Sequence, residues 1–468
     1  MASHSPDRPR RYRWKELGLF IIPSLIIVLI TTQLLIANSL KNASDASSPL
    51  TAQQLPTLEG LIPALGLIGA FAVVHIVLNL FFRKADQVLL PLAGLLSSIG
   101  VLMATRLGPD LHNPRLGTNQ FLYALLGFGL CCATVAILRV PQKLSRYKYI
   151  WALITLALLL PALIKGVLAG DAPSRDTLGL GPFKIQPSEF AKIAIVIFFA
   201  AYLSETRDIL AKGFMRIGNL RLPPLRHLGP LVSMLGIALA IFLVVHDLGL
   251  ALLIYSTFLC LMYLASGRLM YVLVSLGAFF VLGFVGYMLL GYVRNRFAVV
   301  GFDVVNWDKW TPEQVAFADD PGYQIMQGLI GLCTGGLFGQ GFGLGHPAGR
   351  FFIPVVESDL MLSGLGEEIG LMGLFAILGL YLLIIHRGFH IAMKARDSFS
   401  QLLAAGLTTI FAIQTLVIIA GNLKLMPLTG VPLPFLSQGG SSLFANYIII
   451  GILLRISHNT EVEAESSY

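Results

Sequence analysis

Twelve apolar runs govern what this chain can fold into: roughly 17–37, 60–82, 87–105, 118–138, 149–168, 189–204, 229–245, 248–266, 270–292, 365–385, 401–420 and 439–454. Each is close to the 17–25 residues that a helix needs to cross the hydrocarbon core of a bilayer. Inside lipid every backbone N–H and C=O must be satisfied within the element, which leaves helices or closed barrels, and runs of this length are helical. The expected fold is therefore an all-α polytopic integral membrane protein of about 12 transmembrane helices. The composition agrees: 56% of residues are hydrophobic and 12% charged, against about 25% charged in soluble domains.

Net charge is +8, which could suggest nucleic acid. The basic residues instead cluster in short segments between runs, where they act as topology signals and contacts to anionic membrane lipids, so no nucleic-acid partner is expected. With the N-terminus inside, the cytoplasmic segments collect 21 of the 33 Lys and Arg residues. Both termini are then cytoplasmic, residues 1–16 form a basic tail, 457–468 a second tail, and the long segment 292–364 faces outward. The four cysteines (131, 132, 260, 333) form neither a disulfide framework nor a zinc signature.

The outward segment has its densest part at 317–345. Asp319 and Asp320 directly precede Pro321, which disfavours helix at Asp320 and presents its carboxylate in an extended or turn conformation. A solvated turn is the plainer reading of such a pair. Six glycines between 335 and 345 allow sharp turns against a close neighbour. Without a preceding strand or a following Lys-Ser/Thr pair they make no nucleotide cradle.

Ionisable residues in or beside spans are costly and mark bundle interiors or wet cavities. Glu189 and Lys192 are three apart on one helix face and close enough to pair; capping for the glutamate and snorkelling for the lysine are the alternatives. Ser188 is a candidate N-cap of the same helix. Asp247 stands at a break between two spans, as a helix-break residue or a functional one. Glu367 and Glu368 open the tenth run, with Asp359 upstream. Together with Arg294 and Arg296 these groups are expected to line one outward-facing cavity.

Several motifs jointly resemble the SEDS family of RodA and FtsW proteins. They are Ile185-Gln186-Pro187-Ser188-Glu189-Phe190-Ala191-Lys192, Asp247-Leu248-Gly249, Asp320-Pro321-Gly322-Tyr323-Gln324, Gly335-Gly336-Leu337-Phe338-Gly339-Gln340-Gly341, Ser358-Asp359, Glu367-Glu368-Ile369-Gly370, and Pro432-Leu433-Pro434-Phe435-Leu436-Ser437 before Gly439-Gly440-Ser441-Ser442. The resemblance covers roughly 150–456, so 149–456 reads as a SEDS-like core with the outward loop inside it, and 17–148 as N-terminal spans. The two extra N-terminal spans resemble the twelve-span RodA proteins of some Gram-positive lineages.

The resemblance implies a peptidoglycan glycosyltransferase. It would polymerise lipid II into glycan strands at the outer face of the bacterial cytoplasmic membrane, with release of polyprenyl diphosphate and a class B penicillin-binding protein, a single-span transpeptidase, as partner. Asp320 matches the family's catalytic loop aspartate. The spacing after it is shortened here, so Asp319 stands as its alternative. Glu189, Lys192, Asp359, Glu367 and Glu368 match the family's other characteristic positions. Chemically, a carboxylate suits deprotonation of a sugar hydroxyl. The leaving diphosphate needs positive charge, from Lys192, Arg294, Arg296 or a divalent cation (Mg or Mn) held by carboxylates. A lipid-linked precursor flippase and a noncatalytic scaffold for a transpeptidase are the alternatives; a flippase would show a repeat around a midplane site, and no convincing repeat is seen.

Overall fold

The computed structural model describes residues 12–41, 62–168, 178–180, 183–212, 215–217, 220–222, 225–319, 322–346 and 353–466. Every one of the twelve apolar runs is a helix: α1 Trp14–Lys41, α2 Ile62–Phe81, α3 Leu89–Asp110, α4 Leu116–Ile137, α5 Lys148–Leu168, α6 Pro187–Lys212, α7 Leu225–Val245, α8 Leu248–Ser266, α9 Leu269–Leu289, α13 Met361–Lys394, α14 Ser398–Asn422 and α15 Gly440–Ser466. Eleven are long and apolar enough to cross a membrane. The other, α6, carries Glu189 and Lys192 in its first turns and acidic residues at its far end. Its 26 residues still span a bilayer's thickness at 1.5 Å per residue.

Helix α6 lies at the centre of the bundle. It packs against α5, α8, α14 and α15, and every residue from Ala191 to Leu203 is buried. A helix that is apolar all round is stable only when surrounded. By contrast, α9 touches mainly α8 and the short helix Gly291–Gly301 that follows it, and Tyr271 is its single buried residue. Its exposed Leu273, Phe280, Phe284 and Met288 suit contact with lipid.

The long segment between α9 and α13 is not an irregular loop. It holds three helices: α10 Gly291–Gly301, α11 Pro312–Asp319 and α12 Tyr323–Gly335. Two short 3-10 helices, Pro141–Tyr147 and Trp307–Lys309, and two small antiparallel hairpins complete the described elements. Strand β1 (Leu178–Leu180) pairs with β2 (Phe183–Ile185), and β3 (Met215–Ile217) with β4 (Leu220–Leu222). The first hairpin leads directly into α6.

A buried ionic network fastens α1 to the rest. Arg13 and Glu16 are both wholly buried and bonded at 2.7 Å. The Arg13 guanidinium also donates to the carbonyls of Phe82, Ala85 and Asp86 in the turn between α2 and α3. His75 of α2 bonds Glu16 through Nδ1 (2.8 Å) and the Tyr12 hydroxyl through Nε2 (3.0 Å). Such a group of charges tolerates burial only because each polar atom is answered by another.

Candidate active site

Sequence motifs that are far apart in the chain meet at the end of the bundle bearing α10–α12. The turn that opens the site starts at Val355, whose φ of +51° is rare for a β-branched residue. Its carbonyl accepts N–H bonds from Ser358, Asp359 and Leu360, which winds residues 355–360 tightly into the start of α13. Asn422, buried at the end of α14, donates to the Asp359 carbonyl (2.9 Å) and accepts from the Ser363 hydroxyl (3.1 Å). Asp359 is thereby fixed at its backbone. Burial raises its carboxyl pKa above the usual range, opposed by the Ser358 hydrogen bond and by the positive charge of Arg296.

The proline-rich return segment seals against this turn. Ser437 Oγ donates to the Ser358 carbonyl and accepts from Leu433 N–H, and Gln438 N–H donates to the Glu357 carbonyl at 2.7 Å. Phe435 is buried with φ of +66°. Tyr381 Oη holds the neighbouring Pro434 carbonyl from below. Arg296, on α10, donates to the Leu428 carbonyl (3.2 Å), bringing the third segment to the same place.

Beneath lies the pair expected from sequence. Lys192 Nζ meets Glu189 Oε2 at 2.6 Å with both side chains wholly inaccessible. It also donates to Gln414 Oε1 at 2.9 Å, and Gln414 Nε2 donates to the Pro432 carbonyl at 2.8 Å. The central helix is thus tied through one amide to the return segment. A further tie runs from Gln186 N–H to Ser441 Oγ. Pro187 takes the first helical position, where its missing N–H is harmless. Ser188, expected as the N-cap, therefore sits inside the first turn.

Glu367 and Glu368 belong to a separate arrangement. Glu367 Oε1 accepts from His346 N–H (2.7 Å) and Glu368 Oε2 from Gly343 N–H (3.0 Å). Arg106 of α3, buried in the bundle, faces Glu368 Oε1 at 2.9 Å without hydrogen-bond alignment, and donates to Asp110 and to the Gly345 carbonyl. Glycine is required here by contact: a Cβ on Gly335 would lie 1.9 Å from the Gly366 carbonyl oxygen, and one on Gly339 2.2 Å from that of Glu368. Gly370 completes the join, with φ of +67° breaking α13 where the glycine segment crosses it.

The structure accordingly divides the anticipated single cluster into three. Asp359 and Arg296 stand together on the platform. Glu189 and Lys192 form a closed pair behind it, and Glu368, with Glu367, braces the glycine segment. The side chains of the last two groups are buried. Arg294 is exposed on α10, and Asp319 is exposed at the end of α11. Asp320 and Pro321 lie outside the described residues; α11 ends at Asp319 and α12 begins at Tyr323. Asp247 takes its local role, capping α8 by accepting from Leu250 N–H. No group of three or more His, Cys, Asp or Glu that could hold a metal occurs among the described residues. Of the Glu367 and Glu368 oxygens, Glu367 Oε1 and Glu368 Oε2 accept backbone N–H bonds and Glu368 Oε1 faces Arg106.

Arg106, Gln414 and Asn422 were not singled out in the sequence. Arg106 alone carried a signal, a charge directly at the end of an apolar run; neutral amides in or beside such runs carry none.

Fold and site define a polytopic helical membrane protein with a rigid polar platform at one end of its bundle. The family described as "Cell cycle protein", FtsW/RodA/SpoVE, matches residues 86–462, and this chain belongs to it. The match starts after α2. The chain is 37% identical over 402 residues to the peptidoglycan glycosyltransferase RodA of Mycobacterium tuberculosis (strain H37Rv), covering 84% of this chain and 82% of that protein. It is 32% identical over 394 residues to the probable peptidoglycan glycosyltransferase FtsW of Trichlorobacter lovleyi, covering 80% and 94%. Its fold is similar to that in a structure describing coordination of polymerization and crosslinking by a peptidoglycan synthase complex, with TM-score 0.60, 22% identity, and 80% of this chain and 98% of that one covered. Thermus thermophilus RodA aligns with TM-score 0.53 and 21% identity over 80% and 97% of the two chains.

Proposed function

We infer that this chain is a peptidoglycan glycosyltransferase, an enzyme that polymerises lipid II into glycan strands during cell-wall elongation. The observation that carries the reading is the family match over 86–462, whose motifs converge on one platform. We place that platform at the outer face of the cytoplasmic membrane, with both termini inside, on the distribution of Lys and Arg. A single-span class B penicillin-binding protein is proposed as partner, an idea supported by the fold shared with a peptidoglycan synthase complex.

In the proposed reaction the acceptor sugar hydroxyl attacks the anomeric carbon of the donor. A C–O bond forms, the bond from that carbon to the diphosphate breaks with its electron pair, and the hydroxyl proton passes to Asp320. Arg294 and Arg296 lie on the same helix beside the platform, suited to the charge growing on the leaving diphosphate. Full burial supports a positioning role for Glu189 and Lys192, which hold the return segment through Gln414. Glu367 and Glu368 would position the glycine segment in the same way.

Asp320→Asn keeps size and removes the proton acceptor, so turnover of purified protein on lipid II with its partner should fall by about 10²–10⁴. Asp319→Asn should retain most activity. Full activity of Asp320→Asn with loss in Asp319→Asn would move the base by one residue. Full activity of both would end the catalytic reading of this segment.

A further inference from the structure

We propose that the end of the bundle opposite the platform carries a binding pocket for the phosphate headgroup of an anionic lipid. The pocket is about 600 Å³ and lies where α1 and the α2–α3 turn meet α13 and α15. It is therefore built at the seam between the family-matched region, which begins at residue 86, and the two helices ahead of it. Five cations line it, Lys15, Arg83, Lys84, Arg387 and Lys394, against three carboxylates, Asp86, Glu461 and Glu465, a surplus of two positive charges.

The pairing within the pocket is uneven. Arg387 is committed to buried Asp86. Lys84 and Lys394 meet Glu465 and Glu461 only in exposed pairs, of 2.7 and 3.3 Å. Lys15 pairs with no carboxylate among the described residues, and Arg83 uses only Nε, on the Asn79 carbonyl. Lys15 is nevertheless held in place, because Arg13 two residues earlier is locked in the buried network with Glu16.

The surroundings favour a lipid over a dissolved ion. Trp14, Phe81 and Met393, next to or two residues from Lys15, Arg83 and Lys394 in the chain, are each about 70% exposed (70%, 69% and 70%). Large apolar side chains beside cations at a span end place that level at the headgroup boundary. Basic pockets between spans at such a depth recognise phosphate headgroups. The acidic last turns of α15 would act as an internal competitor, since Glu461 and Glu465 occupy two of the cations a phosphate would use.

Native mass spectrometry of the full chain, extracted from bilayers of phosphatidylcholine with or without phosphatidylglycerol or cardiolipin, tests this. The wild type should retain an anionic lipid and no phosphatidylcholine. In Lys15→Gln/Arg83→Gln retention should fall roughly 10- to 30-fold, each cation contributing about fivefold, while Lys143→Gln/Arg146→Gln, the same charge change elsewhere at this end, should leave it unaltered. Glu461→Gln/Glu465→Gln should raise retention, an independent reading if the first variant folds poorly. Equal loss in both cation variants, equal retention of phosphatidylcholine, or no gain from the glutamine variant would overturn the pocket. Protection of the chain by inorganic phosphate without lipid retention would overturn the lipid assignment. Lipid retention reads binding, not polymerisation, so these outcomes are separate from those for Asp320.

Discussion

At the platform end of the bundle, the backbone itself is constrained: His112, His246, Val355, Lys424 and Phe435, all five non-glycine residues with positive φ among those described, lie there. At the other end polar groups meet mainly as ion pairs, and several of these are exposed. Strained conformations cost about 1–3 kcal/mol each and persist only when their surroundings over-determine them. The hydrogen bonds around Val355 and Phe435 provide that surrounding. Geometry is thus held tightly where the platform stands, whereas at the opposite end, outside the buried Arg13–Glu16 network and the Arg387–Asp86 pair, charge is held in exposed pairs. Perturbations should act accordingly, through positional loss at the first end and through screening at the second.

The largest effect on stability is expected from the closed pair. Lys192→Ala leaves Glu189 buried without its cation, because Glu189 Oε1 has no hydrogen-bond partner among the described residues and Oε2 faces Lys192. Removing one partner of a buried pair costs about 3–5 kcal/mol, read as a sharp loss of monodisperse protein on size exclusion. The double variant Glu189→Gln/Lys192→Met sharpens the comparison, since it removes both charges while keeping bulk. It should recover folded yield yet polymerise slowly if the tether to Pro432 positions the platform. Normal polymerisation by a folded double variant would reduce the pair to a stability element.

A smaller loss is expected at the glycine crossing. Gly339→Ala forces a side chain onto φ of +80° and against the Glu368 carbonyl; the conformational part alone is worth about 1–3 kcal/mol. Gly236→Ala on α7 is the contrast, because a Cβ there meets nothing within 4 Å and alanine favours a helix by up to about 1 kcal/mol. Thermal unfolding in detergent should fall for the first and hold or rise for the second.

How much of this was legible follows from the solvent. A bilayer admits only spans of a certain length, so all twelve runs could be located from residue type alone, and α6 was found despite its charges. The glycine positions were legible as turns, but their reason, backbone crossing backbone at Gly335, Gly339 and Gly370, depends on a partner 30 residues away. Helices α10–α12 were missed because short helices of mixed composition carry no span-length signal. Matching motifs by depth could not tell a wholly buried group such as Lys192 from a part-exposed one such as Arg296.

Asp359 allows the platform to be probed by pH. Its carboxyl pKa is raised in the folded protein by burial, so the folded state binds the proton more tightly than the unfolded one. That contribution to stability is fully present below the unfolded carboxyl pKa and is lost as pH rises through the raised value. Asp359→Asn cannot ionise. It should unfold at a higher temperature than wild type near neutral pH, with the difference shrinking as pH falls through the carboxylate range. A difference that grows on acidification would mean that the charged form is the one the fold favours.

The smallest effect belongs to the exposed pairs at the opposite end. Lys84 and Glu465 meet at 2.7 Å, but the lysine is 33% and the glutamate 61% exposed. Exposed pairs of this kind are worth about 0.2–1 kcal/mol and are screened by salt. Glu465→Gln should therefore shift thermal unfolding slightly at low ionic strength and not at all in 1 M salt, where the Debye length is about 3 Å. The matching test at the platform is Lys192→Ala, whose loss should persist undiminished in the same salt because neither ion nor water reaches a wholly buried pair. Equal salt sensitivity at both positions would erase the distinction between the two pairs; a salt-dependent shift at Glu465 alone would show that burial, and not mere pairing, decides which charges of this fold are screened.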